Sequence, residues 1–170
     1  MSVSLNSLDD VLLEQLEDLY SAEQQLVAAL PSVARAAHSG GLKDAIEMHL
    51  EQTRGHVLRL EQVFDALGAT RSATTCQAMQ GLIAEGADVA KMEGDPVAKD
   101  AALIAAAQRI EHYEIAGYGT ARALAGELDH RDVAKLLSAT LDEEGAADKL
   151  LTRIATGGML RSGVNAKSRR

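Results

Sequence analysis

Apolar residues recur every three or four positions through four long segments of this chain, and the stops between those segments leave only one long gap. That spacing is the signature of helices that each bury one stripe. In the first segment Leu8, Leu12, Leu16, Leu19, Leu26, Leu30 and Ala37 share a face, with Ser7 or Asn6 as cap and Gly40 and Gly41 beyond its end. Pro31 lies inside it and is predicted to kink the helix or open one turn, because it lacks an N–H and crowds the preceding turn. The second helix, residues 42–67, carries Leu42, Ile46, Leu50, Val57, Leu60 and Phe64 and stops at Gly68. Asp95 followed by Pro96 reads as the cap and first position of the third long helix. Asp129 and His130 separate that helix from the last, residues 131–155.

The gap between the second and third long helices holds a small polar linker, residues 69–75, and a shorter helix over residues 76–92. Short turns make each hairpin antiparallel, so the pattern predicts an all-α antiparallel four-helix bundle with a short extra helix in the crossover connection. A chain of 170 residues suits one domain, residues 1–156, followed by a basic tail over 157–170 that is predicted to be disordered. The net charge is −8, and the tail adds Arg161, Lys167, Arg169 and Arg170 with no acid, which leaves the body at −12. So acidic a body argues against a nucleic-acid-binding face and suits the attraction of cations. Cys76 is alone, which excludes an intrachain disulfide and a cysteine metal site. No apolar run approaches the roughly 20 residues of a membrane span, and a soluble, cytoplasmic protein is expected.

Carboxylates interrupt the stripes. At about 100° per residue, Leu103, Ala107, Ile110, Glu111, Glu114, Tyr118, Ala121 and Ala125 fall within roughly 60° of one direction. Glu23 sits at the centre of the first stripe among Leu12, Leu16, Leu19, Val27, Leu30 and Ala34. On the last helix Glu144 lies amid Val133, Leu137, Thr140, Leu151 and Ala155, with Asp148 one turn on. The second helix has no central acid, but His49 and His56 flank its stripe with Thr53 between them. A buried carboxylate must neutralise, meet a cation or bind a metal, and two acids at i and i+3 repel without a cation between them. Glu23, His49, His56, Glu111, Glu114, Glu144 and Asp148 are therefore the candidate ligands. Acids with imidazoles in a bundle interior suit a divalent metal, iron or manganese first and zinc next. Tyr118 and Tyr20 lie a turn from candidate acids, where a phenol can bond a ligand or simply pack. No nucleophile triad or phosphate loop is present.

These residues resemble a known family. The segments Leu19-Tyr20-Ser21-Ala22-Glu23, His49-Leu50-Glu51, Ala78-Met79 with Gly81-Leu82-Ile83, the run from Asp100 to Gln108, Glu111-His112-Tyr113-Glu114-Ile115-Ala116, and Leu141-Asp142-Glu143-Glu144 are similar to the YciF-type bacterial stress proteins of the ferritin-like superfamily. The resemblance covers about residues 8–155. It implies a homodimer-forming ferritin-like bundle linked to general, osmotic or oxidative stress. The wider superfamily surrounds two metals with a Glu on helices one and three and Glu-x-x-His on helices two and four. Setting Leu50 against Leu141 places Thr53-x-x-His56 opposite Glu144-x-x-Ala147, so one motif lacks its Glu and the other its His. His49, Glu114 and Asp148 are available to compensate, which allows a single metal or an asymmetric pair.

Two functions of different class follow. One is a metal-binding bundle, of di-iron or di-manganese type, that sequesters redox metal or consumes peroxide or oxygen; the residues leave open whether it is an enzyme. The other is a metal-free structural or interaction bundle whose interior acids pair with Arg109 and Arg122.

Overall fold

The computed structural model describes residues 5–158 and 161–168. Helix α1 spans Leu8–Ala36, α2 Gly40–Leu67, α3 Gln77–Lys91, α4 Pro96–Glu127 and α5 Arg131–Thr156. The local signals explain most of these limits. Ser7 opens α1 with a reciprocal capping box to Asp10. Asp95 accepts from the amides of Val97 and Ala98 ahead of Pro96. Gly68 closes α2 at φ 63°, a left-handed conformation that favours glycine. Helix α1 continues through Pro31 without a break.

Two apolar clusters sit at opposite ends of the bundle and fix its connectivity. One joins Leu26 and Leu30 late in α1, Leu42 and Ile46 early in α2, Leu103 and Ile104 early in α4, and Leu151 late in α5. The other joins Leu12 and Leu16, Leu60 and Phe64, Tyr118 and Ala121, and Val133 and Leu137. Early residues of α2 and α4 thus share one end, so these two helices run parallel while each hairpin is antiparallel. The crossover segment carrying α3 makes that possible, and α3 packs outside against α1 and α4. Helices α1 and α4 pack closely at Gly117, where a Cβ would fall 2.8 Å from Leu19 Cδ2 and require that side chain to shift.

Buried acids need not mean a ligand site, as Asp100 shows. It is 1% exposed, yet its two oxygens accept from the His38 and Ser39 amides at 2.8 and 2.7 Å. It thereby ties the start of α4 to the turn that begins α2. No described helix is long and apolar enough to cross a membrane.

The tail corrects the expectation of disorder where it is described. Strands β1, Gly157–Gly158, and β2, Arg161–Ser162, pair antiparallel, and a one-turn helix α6 follows at Val164–Lys167. The chain recrosses itself tightly: a Cβ on Gly163 would stand 2.2 Å from the Gly157 nitrogen. Val164, buried in the first apolar cluster, is what holds the tail down. Residues 159–160 and 169–170 of the tail lie outside the described residues.

Candidate metal centre

Midway along the bundle, between its two apolar clusters, every long helix changes from apolar to polar. Helix α1 supplies Glu23, α2 supplies His49, Thr53 and His56, α4 supplies Glu111 and Glu114, and α5 supplies Thr140 and Glu144. All are buried. The helical period that put each acid on a stripe now puts four stripes around one centre.

The ligand atoms fall into two groups. One atom each of His49, Glu111, Glu114 and Glu144 lies within 4.8 Å of the others, and the same holds for Glu23, His56 and Glu144. Glu144 belongs to both. Its Oε1 is 2.9 Å from His56 Nδ1, and its Oε2 faces His49 Nε2 at 3.8 Å. Glu23 Oε1 stands 3.2 Å from His56 Nδ1, and Glu111 Oε1 is 3.4 Å from His49 Nε2. A carboxylate with one oxygen toward each group is the arrangement that would bridge two cations.

Hydrogen bonding separates this cluster from the rest of the interior. Among the described residues, the buried side-chain atoms without a hydrogen-bond partner all belong to Glu23, His49, His56, Glu111, Glu114 and Glu144. The His56 contacts with Glu23 and Glu144 are close, but they lack hydrogen-bond geometry. Each buried polar atom left unpaired costs about 1–3 kcal/mol, so such a concentration lowers the stability of the fold unless something pairs with it.

Charge is strained in the same way. Burial, and then the neighbouring acids, push the Glu111 and Glu114 carboxyls well above their ordinary value. Burial raises Glu23 too, although His56 offsets part of the effect. For Glu144 burial again raises, but contact with His56 and the charge of His49 outweigh it and hold the group low. Burial alone would neutralise His56; Glu144 and Glu23 instead drive it up to about 10. His49, with burial dominant, is pushed down. By itself the cluster therefore holds protons on Glu111, Glu114 and His56.

A surrounding layer orients these groups. The Tyr118 hydroxyl donates to Glu23 Oε1 at 2.6 Å, one of the roles open to it on sequence grounds, whereas Tyr20 bonds Glu61 instead. Glu143 Oε2 lies 2.8 Å from His56 Nε2, and Arg59 grips Glu143 through two N–H bonds of 3.0 and 3.3 Å. Arg59 also donates to Thr140. With Nε2 engaged by Glu143, Nδ1 is the His56 nitrogen left to face the centre. Neither Glu143 nor Arg59 is apparent from sequence, since both lie off the stripes and meet across 84 residues of chain.

Six of the seven sequence candidates are thus brought together. Asp148 is not: it bonds Gln108 at 2.9 Å and faces His112 at 3.4 Å, because one turn beyond Glu144 the stripe has already rotated toward the α4 rim. Arg109 and Arg122, the expected partners in a metal-free bundle, are exposed.

The chain matches the family described as "Domain of unknown function (DUF892)" over residues 7–164. It is 42% identical to the protein YciF of Escherichia coli (strain K12) over 164 residues, which is 96% of this chain and 99% of that one. The crystal structure of the E. coli stress protein YciF superposes with a TM-score of 0.85 at 45% identity, covering 87% of this chain and 94% of that one. YcfI from Rhodopseudomonas palustris gives 0.87 at 42% identity, covering 91% and 99%. The protein XCC3681 of Xanthomonas campestris pv. campestris, 21% identical with a TM-score of 0.68 over 86% and 91% of the two chains, shares the fold.

Proposed function

The chain belongs to the DUF892 family, the YciF-like proteins, and from that premise we propose that it binds a pair of divalent metal ions at the centre of the bundle. In this reading it limits stress damage by sequestering a redox metal or by consuming peroxide or oxygen there. The observation that carries the reading is the collection of unpaired buried oxygens and imidazole nitrogens on six residues of four helices. Iron or manganese suits such oxygen-rich ligands with two imidazoles, and zinc is the next choice.

The ligand inventory supports a ferritin-like centre despite the incomplete motifs. Ferritin-like di-metal proteins use four carboxylates and two imidazoles, one acid from each of two helices and a Glu-x-x-His from each of the others. This cluster has the same total in a different distribution: one Glu on α1, two His on α2, two Glu on α4 and one Glu on α5. Four ionised carboxylates would balance two divalent cations, which removes the cost of burying them. His49, Glu111 and Glu114 would hold one ion, Glu23 and His56 the other, with Glu144 shared. A bound redox metal would supply the one-electron chemistry. The chain's own part is to exclude water, fix the carboxylates and, through Glu143 and Tyr118, hold protons at His56 Nε2 and beside Glu23 Oε1.

The test is elemental analysis of protein purified without chelator, beside Glu111→Ala and Glu144→Ala. Close to two ions per chain in the wild type and loss in both variants is expected. Substoichiometric metal that both variants retain would sink the proposal and favour a metal-free bundle.

A further inference from the structure

Of the six clustered residues, only His49, at 6%, and Glu111, at 3%, keep measurable exposure. Both open on the same space. A cavity of about 50 Å³ lies among α1, α2, α4 and α5, with Gly86 of α3 on its wall and the half-exposed Met48 also lining it. Leu30, Ile46, Leu103, Ala107, Ile110 and Leu151 make its lining mostly hydrocarbon, and the polar side chains reaching it are Gln52, His49 and Glu111. At its inner side are unpaired atoms of a buried pair: both His49 ring nitrogens and Glu111 Oε2.

Size and polarity restrict what such a space admits. An apolar cavity of about 150 Å³ stays dry and takes up benzene or xenon, so one about a third as large holds only a few heavy atoms. A hydrogen-bonding solute would surrender its hydration along walls that return nothing except at Gln52, His49 and Glu111, and with His49 and Glu111 taken up by a metal only Gln52 remains. In that state hydrogen peroxide has two hydroxyls to desolvate, while dioxygen has none.

We propose that this cavity is the access and holding site for a small, neutral, apolar molecule, dioxygen in preference to hydrogen peroxide, delivered beside His49 and Glu111. Its role in turnover rests on the metal-site reading, but its existence as a gas site does not.

The experiment uses full-length protein with carbon-13-labelled methyl groups, metal-free and again after zinc addition, recorded under nitrogen and under dioxygen. Dioxygen is paramagnetic and speeds relaxation of nearby methyls. The excess relaxation at the buried Ala106 and Leu151 and the partly buried Ala107 and Ile110 is expected to exceed that at the buried Val133 and the partly buried Ala134 and Leu141 of the other cluster by about threefold, as for an apolar cavity that concentrates gas. Ala107→Leu, and independently Ala147→Leu from α5, should abolish the difference by filling the space. Equal enhancement in both apolar clusters of the wild type would overturn the proposal, as would saturable methyl shifts around the cavity on adding hydrogen peroxide to the zinc-loaded protein. If zinc, Fe(II) and Mn(II) all fail to bind while the gas enhancement persists, the metal reading falls and the gas cavity stands.

Discussion

Glu114→Gln should make the metal-free protein more stable and the metal-supplemented protein less responsive. Glu114 is wholly buried, and neither of its oxygens has a hydrogen-bond partner. Its carboxyl is pushed far up by burial and by the charges of Glu23, Glu144 and Glu111. Gln keeps the shape, carries no charge at any pH, and replaces one orphan acceptor with an amide that can donate to the neighbouring unpaired oxygens. At about 1–3 kcal/mol for each unsatisfied buried group, the gain is about 2 kcal/mol. For a chain of this length that corresponds to a Tm higher by about 4–8 °C. The same change removes an anionic ligand. Wild type with metal at 100 times its Kd should gain about 2.7 kcal/mol, and the variant less than half of that by about one lost ligand. Thermal unfolding of both proteins, with chelator and with excess Mn(II), reads both effects. A variant that melts lower than wild type in chelator and gains as much from metal would refute the reasoning, because Glu114 would then be a structural acid.

Three further outcomes follow from the same geometry. Between pH 6.5 and 8 the metal-free protein should lose stability as pH rises: the folded state retains protons on Glu111 and Glu114, and on His56 up to about 10, that the unfolded chain has released. Metal-loaded protein should show the opposite slope, since ligation requires those protons to leave; urea midpoints at three pH values with and without Mn(II) check the sign. Asp100→Ala leaves the His38 and Ser39 amides of the α1–α2 turn without their acceptor and should cost about 1–3 kcal/mol, visible as a lower urea midpoint, while calorimetric metal affinity stays as in wild type. Glu143→Ala frees His56 Nε2 and should weaken metal binding about 10–100-fold in the same calorimetric titration, with little change in the circular dichroism spectrum.

Much of this protein is legible in its helices one at a time. A period of 3.6 residues is a local property, so the stripes, Gly68, Pro96 and Ser7 place the helices, and the same angular count puts Glu23, Glu111, Glu114 and Glu144 on interior faces. Angle alone does not give depth. Asp100 looked no different from other acids in sequence, yet it is buried and fully bonded, whereas Asp148 shares a direction with Glu144 and ends at the rim.

What the sequence determined by itself was the set of elements and which residues each turns inward, because both depend on neighbours three or four positions away. Only the tertiary structure decided that His49 and Glu114 join the cluster to which the two half-motifs contribute His56 and Glu144, that Glu144 faces both groups, and that Glu143 and Arg59 brace His56. Those contacts join residues as many as 95 positions apart, as Tyr118 and Glu23 do. Their geometry is set by how four stripes pack into one centre, a constraint that belongs to the assembled bundle and to none of its helices alone.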